Sequence, residues 1–384
     1  MNKKYIAIIA TVVGIIIIIA SFVFFNGGTG NDTKNSEIQG LKYESSLSLD
    51  YAKEFKVDYY EGGYALITIN EGGSFLVVPE DKKIPDNLDK NITVLKQPLD
   101  NIYLVATSAM DLFRELDGIN NIKLSGTDAD SWYIKEAADA IESGEMKYAG
   151  KYSAPDYELI LENDCDLAIE STMIYHSPEV KEQLESFEIP VLVERSSYEE
   201  HPLGRLEWIK LYAVLLDKEQ KAQDYFDEQI KKLDELDNTE NTGKTVAFFY
   251  ITSNGTVNVR KSNDYVSKMI EMAGGNYIFD DLQSDNSLST VNMQMESFYA
   301  QAKDADYIIY NSTIDGELKS VDELIKKSDL LKDFKAVKEG NVWCMQKSMF
   351  QETTSVSDFI VDINKILTDK DADDSQLKYL YRLK

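Results

Sequence analysis

Residues 201–236 read HPLGRLEWIKLYAVLLDKEQKAQDYFDEQIKKLDEL. Leu203, Leu206, Ile209, Leu215 and Leu216, then Tyr225, Ile230 and Leu233, recur at spacings near three and four. That is the helical period, and after Gly204 no Gly or Pro interrupts it. Charged residues lie between the apolar ones and become dense after Asp217. The pattern predicts one long helix, or two nearly end to end, with only part of its length facing a core. Short apolar runs alternate with helical patterns before it, and the alternation restarts at Thr245. A helix between two such regions holds them at a fixed distance and permits only a small bend. A helix inside one large domain is the plainer alternative.

The chain has 384 residues, room for about two domains. Hydrophobic residues make up 43% of it, enough for a sizeable core. Lys and Arg total 40 against 67 Asp and Glu, a formal charge of -27. That balance excludes nucleic acid as the expected partner, because phosphate contacts need clustered positive charge. Acidity of this kind serves solubility and carries no information about a ligand. Cys165 and Cys344 have no CxxC spacing and no neighbouring His, so no zinc site is expected. Each sits beside or within an apolar run, which points to buried thiols. The only histidines are His176 and His201.

Lys3 and Lys4 precede Tyr5–Phe25, an uncharged apolar run reading YIAIIATVVGIIIIIASFVFF. A helix of that length spans roughly 30 Å, a bilayer core. The flanking charges put the N-terminus inside and the rest of the chain outside. Residues 1–25 are therefore expected to be a transmembrane anchor or signal segment. Ile18 is too large for a cleavage site at Ala20, which favours an uncleaved anchor. No cysteine follows the run to carry a lipid. Residues 26–41 read as a flexible tether. VDYY, YALITI and SFLVV, separated by EGG and NEGG, read as a small antiparallel meander within 57–78.

From Ile92 the αβ alternation begins. ITVLK and IYLVA are strand-like, and SAMDLFRELDGI is a helix with Ser108 as its expected N-cap. YELILEN and SPEVKEQLESF are helical, each followed by a strand, DLAIE and IPVLVE. Past the long helix come TVAFFYI, SNDYVSKMIEMAGG, MESFYAQAKD, DYIIY, VDELIKKSDLLKDF, NVWCM and SVSDFIVDINKIL. From Thr368 a polar terminal helix or tail is expected. The fold class is α/β, with two Rossmann-like lobes of parallel-rich sheets joined by a single long helix. The transmembrane anchor and the meander precede them. The first lobe spans 42–203, the interlobe helix 204–237 and the second lobe 238–384. The halves share an order of local motifs: Tyr157-Glu158 starts a helix before DLAIE, as Met295-Glu296 does before DYIIY.

Neither a Ser-His-Asp arrangement, a P-loop nor a dinucleotide fingerprint is evident, so no catalytic residue, metal ligand or cofactor is expected. Ligands in open α/β sheets lie at the carboxyl ends of strands. The loops there carry Met173, Tyr175 and Arg195 in the first half, and Arg260, Lys347 and Met349 in the second; Trp132 and Tyr152 lie in further connections. These are the candidate ligand-binding residues. Aromatics, Met and Arg together suit a bulky ligand with apolar faces and some anionic or carbonyl oxygens. Each Tyr or Met alone is more readily a packing or surface residue than a ligand contact; Arg195 and Arg260 stand out because each follows an apolar strand.

The run YSAPDYELILENDCDLAIESTMIYHSPEVKEQLESFEIPVLVERSSYEE resembles the first lobe of substrate-binding proteins of ABC importers. The class it resembles binds ferric siderophores, haem or vitamin B12. The GGNYIF helix exit and MESFYAQAKDADYIIY continue the resemblance, which covers about Ile92 to Leu367. It implies a non-enzymatic chain whose small-molecule ligand lies in the interlobe cleft. It implies an ABC permease and its ATPase as partners, while the apolar N-terminal run gives the cell membrane, with the binding domain outside, as the expected location. It also implies one acidic residue per lobe docking onto permease arginines. By matching position these are Glu158 and Glu296, the latter two residues further from its strand. The missing lipid-attachment cysteine and the extra meander depart from the class. Relatives that bind bare metal use several His with carboxylates, whereas here both histidines fall in the first half. A metal would therefore arrive chelated. A ferric complex is the first expectation; a corrinoid or haem, packed by Trp132, Tyr175 and Met349, is the second. A membrane-anchored extracellular enzyme of this fold is a third.

Overall fold

Alternating apolar residues build a first sheet from β1 (Tyr43–Ser46), β2 (Phe55–Tyr60), β3 (Tyr64–Ile69), β4 (Gly73–Val78) and β5 (Ile92–Lys96). The computed structural model describes residues 38–236, 240–283, 289–372 and 374–384. The expected membrane segment, and all of the tether before Ile38, lie outside them. Among the described residues no helix is long and apolar enough to cross a membrane. In the first sheet, Phe55, Val57, Ile67, Phe75 and Val77 bury one face, while Tyr60, Leu66, Leu76 and Val78 close on Ile38 at the other. Gly62 and Gly63, with φ of 94° and 85°, make the left-handed turn between β2 and β3.

The meander therefore has five strands rather than three. ITVLK, expected to open the αβ alternation, is β5 and runs parallel to β4. An apolar run does not state its partner; here Ile92 and Val94 pack against the small core around Tyr60 and Leu66. β1 is mostly exposed and had no burial pattern to reveal it.

The N-terminal lobe contains β6 (Ile102–Leu104), β7 (Ile122–Ser125), β8 (Lys147–Tyr148), a short hairpin of β9 (Gly150–Lys151) and β10 (Ala154–Pro155), then β11 (Leu167–Ser171) and β12 (Val191–Glu194). Its main sheet has the order β12-β11-β6-β7-β8, with every pairing parallel. Helices α1 (Thr107–Glu115), α2 (Lys135–Ser143), α3 (Tyr157–Glu162) and α4 (Pro178–Ser186) connect the strands. Ser108 does not cap α1; Ala106 holds that position without a side-chain bond. The Ser108 hydroxyl donates instead to buried Glu194, at 3.0 Å. A buried carboxylate needs donors more than a helix end needs one more cap.

The expected single helix is three: α5 (Pro202–Glu207), α6 (Ile209–Leu216) and α7 (Glu219–Asp234). The first break falls at Trp208, whose indole donates to Glu199 at 3.0 Å and packs on Phe55. The second falls at Asp217, which is left-handed with φ 57°. Lys218 follows, and its ammonium donates to the carbonyls of Leu116 and Asp117 at the end of α1. The breaks let successive pieces face different cores. Leu203, Leu206, Phe226 and Leu233 join the C-terminal core, and Trp208 to Leu215 join the N-terminal one.

The C-terminal lobe has β13 (Thr245–Ile251), β14 (Val257–Arg260), β15 (Asn276–Tyr277), β16 (Thr290–Met293), β17 (Tyr307–Tyr310), β18 (Val342–Met345) and β19 (Leu380–Arg382). The order is β16-β14-β13-β17-β18-β19, with β15 also on β13. β13, β17 and β18 pair in parallel; β14, β16 and β19 run antiparallel to their neighbours. Its helices are α8 (Tyr265–Met272), α9 (Met295–Ala302), α10 (Ser312–Asp315), α11 (Val321–Lys327), α12 (Lys335–Glu339) and α13 (Val356–Thr368). The last residues are not the expected polar tail. The Asp362 carboxylate on α13 accepts the backbone N–H of Lys378, Tyr379 and Leu380. That clasp steers the chain into β19.

Candidate functional site

Exposed large apolar side chains gather where strands end. Tyr133 follows β7, Met173 and Tyr175 follow β11, and Tyr198 follows β12. On the other lobe Ile314 follows β17 and Phe350 follows β18. Such a collection facing water marks a binding surface. Local chain chemistry places part of it. The Ser171 hydroxyl accepts the N–H of Met173, and the tight turn over Thr172–His176 buries Ile174 while Met173 and Tyr175 face out.

Arg195, at the carboxyl end of β12, is only 4% exposed. Its Nε donates to Glu54 at 3.0 Å, and Nη2 lies 3.5 Å from Glu71. The guanidinium lies 4.2 Å from the centre of the Tyr198 ring, with Nη1 3.4 Å from the Tyr175 hydroxyl. Both carboxylates come from the first sheet. On the C-terminal lobe, Arg260 Nη1 lies 3.5 Å from Asp264, the N-cap of α8. With Tyr265, Thr313, Met349 and Phe350 it lines a small recess. Arg205 of α5 covers Tyr265 at 4.0 Å.

The remaining candidates separate. Trp132 is buried in the N-terminal core, its indole donating to Ser125 Oγ and the Thr127 carbonyl. Its neighbour Tyr133 faces the cleft side, so of two adjacent aromatics the sequence reading chose the inward one. Tyr152 packs against the outer core beside α3 and α4. Lys347 lies 5.5 Å from the Tyr133 ring, across the lobes. Glu158 and Glu296 are exposed in the first turns of α3 and α9.

The lobes also meet through hydrogen bonds. The Gln351 amide accepts from Tyr133 N at 2.7 Å and donates to the Ser131 carbonyl at 2.8 Å. Thr354 gives both its N–H and its hydroxyl to Asp111 of α1, at 2.8 and 2.5 Å. Burial pushes the Asp111 carboxyl up to about 6, against the pull of Arg114 and Thr354. At the α8 end, a cavity of about 510 Å³ opens between the lobes. Tyr198 and His201 line it from one lobe, Ser262 and Lys268 from the other, and Tyr51 and Lys53 from the segment leading into β2. His201 stacks on Tyr51 at 4.6 Å and accepts the Leu203 N–H at Nδ1. Burial, then Lys268 and Lys53, lower its pKa. Tyr51, Lys53, Tyr133 and Lys268 were not among the sequence candidates. Among the described residues, no three His, Cys, Asp or Glu side chains converge as metal ligands. Cys344 is a buried free thiol; Cys165 is a partly buried one.

The family model described as periplasmic binding protein matches residues 111–348. The chain belongs to this family. A lipoprotein of Methanocaldococcus jannaschii, itself described as uncharacterized, is 28% identical over 346 residues, 85% of this chain and 81% of its own. The periplasmic heme binding protein HutB of Vibrio cholerae matches with a TM-score of 0.56 at 18% identity, covering 70% of this chain and 98% of that one. An ABC-type Fe3+-hydroxamate transport system structure from Saccharomonospora viridis matches with a TM-score of 0.54 at 17% identity, covering 71% and 94%. The binding protein thus shares its fold with a heme binding protein and with a structure from an Fe3+-hydroxamate transport system. Its first sheet, β1–β5, lies ahead of the family match.

Proposed function

We propose that the binding protein is the extracytoplasmic, membrane-anchored substrate-binding component of an ABC importer. It captures a chelated metal complex, a ferric siderophore first, between its lobes and delivers it to a membrane permease. One observation carries this reading: exposed Tyr, Met and Phe side chains and a cavity of about 510 Å³ sit at the strand ends of two facing lobes. Membership of the periplasmic binding protein family supports it, and the lipoprotein relative supports the location. Haem or a corrinoid is the second reading, favoured by the flat faces of Tyr133, Tyr175 and Tyr198 around a rim that also carries Met173. Glu158 and Glu296, one on each lobe, are proposed as the points that dock on permease arginines. The test is titration of the full chain in detergent with ferrichrome, haemin and cyanocobalamin, followed by tryptophan fluorescence. Saturable binding of one of them is expected. Saturation by none would remove the proposal.

A further inference from the structure

The cavity at the α8 end of the cleft has three walls, and the third comes from outside the family match. Tyr51 and Lys53 belong to the segment that enters β2. That segment is fastened. The Glu207 carboxylate accepts the N–H groups of Asp50, Tyr51 and Ala52, at 3.0, 2.8 and 2.8 Å. The Glu199 carboxylate accepts those of Lys53 and Glu54, at 2.9 Å each. Both acids are buried. The fit against α5 is tight: a Cβ on Gly204 would lie 3.1 Å from the Tyr51 carbonyl oxygen. The wall is therefore set by long-range hydrogen bonds and not by a free loop.

The charges at this wall are unequally committed. Glu54 pairs with Arg195, and Glu199 is filled by backbone donors and Trp208. Glu271 pairs with Lys268 at 2.9 Å, in the open. Glu200 also lines the cavity. The Lys53 ammonium has no side-chain partner among the described residues. Lys53 and Lys268, from different parts of the chain, line the same cavity as His201, and both lower the pKa of its imidazole. Tyr51 and His201 offer a stacked aromatic surface beside them.

We infer that the segment between β1 and β2 forms a third wall of the ligand cleft, and that Lys53 contacts a carboxylate of the bound chelate with Lys268 facing it. This rests on the reading of the chain as a chelate-binding protein and narrows its substrate class. A charge-assisted contact in a partly enclosed cavity favours carboxylate-bearing complexes over neutral ones. The ligand's flat part lies toward Tyr198 and its anionic group toward Lys53.

The test uses the full chain in detergent with three probes: haemin and ferric citrate, which carry carboxylates, and ferrichrome, a neutral hydroxamate complex. Lys53→Glu is compared with Lys90→Glu, an exposed lysine of the same region that does not line the cavity. Expected is saturable binding of a carboxylate chelate, weakened about tenfold or more by Lys53→Glu and less than about twofold by Lys90→Glu. Melting temperature should be unchanged in both, since neither side chain is buried. Equal effects of the two reversals would overturn the inference. Binding of ferrichrome alone would overturn it and leave the transport reading standing. Binding of none of these three would overturn the inference, and the transport reading falls with it only if cyanocobalamin also fails to bind.

Discussion

The two arginines at the strand ends are held in opposite ways. Arg260 pairs with Asp264, four residues on, and the whole arrangement belongs to the turn that opens α8. Arg195 pairs with Glu54 and Glu71, which reach it from another sheet more than a hundred residues earlier. The C-terminal half of the cleft is thus assembled locally. The N-terminal half is assembled only once β1–β5 has docked. Its rim residues Tyr175 and Tyr198 both touch Arg195, so the first sheet reaches the cleft through that side chain as well as through Tyr51 and Lys53.

The comparison breaks if the first sheet can be loosened at no expense to the rest. Glu207 is the place to try. It is fully buried, accepts three backbone N–H groups and pairs with buried Lys210 at 2.8 Å. Glu207→Ala leaves that ammonium without its counter-charge, with only the Ser48 carbonyl at 3.3 Å, and leaves those backbone donors unsatisfied, so a loss of about 3–5 kcal/mol is expected. Urea unfolding measures it. A loss below about 1 kcal/mol would mean that the segment is held by packing alone.

A second test concerns charge buried in the parallel sheet of the same lobe. Glu170 on β11 is fully buried, and neither carboxyl oxygen has a partner among the described residues. Burial pushes it up to about 8 from the usual 4.5. Below the lower value both folded and unfolded chains hold the proton. Between the two, the unfolded chain releases it and the folded chain keeps it, so stability falls as pH rises and the advantage is gone above about 8. The total is on the order of a few kcal/mol. Glu170→Gln should flatten this slope and stabilise the protein at pH 8. The same slope in the variant and the parent would show that Glu170 is not its source.

The arginines themselves give a smaller contrast. Arg195→Ala strips a largely buried partner from Glu54 and is expected to lower stability by about 2 kcal/mol. Arg260→Ala leaves Asp264 still capping α8 through the Val266 N–H, and about 1 kcal/mol or less is expected. Ligand affinity should fall in both, through displaced tyrosines in the first case and a lost cleft wall in the second. Equal thermal shifts would erase the distinction between local and long-range assembly.

What the sequence made legible follows the same line. Helical period, apolar runs and Gly stops are local, and they located most strands and helices of both lobes. The strand-end loops that carry Tyr175, Arg195, Arg260 and Met349 followed from them. The breaks at Trp208 and Asp217 were hidden, because neither residue is a helix breaker. Each break serves contacts made elsewhere, with Glu199 and with the end of α1. β19 was hidden because its direction is set by the clasp on Asp362, 16 to 18 residues earlier, and not by a pattern in its own three residues. Lys53 was hidden because its place depends on Glu199 and Glu207. Trp132 was misjudged because a loop pattern does not say which of two neighbouring aromatics turns inward.

The smallest effect on the isolated protein is expected at Glu158 and Glu296. Each is exposed in the first turn of a helix that precedes a parallel strand of its lobe. Neither has an ion-pair partner among the described residues. An acidic residue there is favoured by the helix dipole, which accounts for its type without any partner. The dipole does not account for an exposed acid at the same step of both lobes. Two docking points on two lobes would let a permease register their relative position. Reversing both, with Glu158→Lys and Glu296→Lys, removes two favourable dipole terms of about 0.3–1 kcal/mol each and disturbs no core contact. Affinity of the purified protein for its best chelate should therefore be unchanged. Uptake by cells carrying the variant with its own permease should be lost, because like charges would then face each other across the contact. Retained uptake would leave both residues as helix-start residues only. Lost affinity would tie them to the cleft, and the contrast between the lobes would then extend to surfaces that look alike.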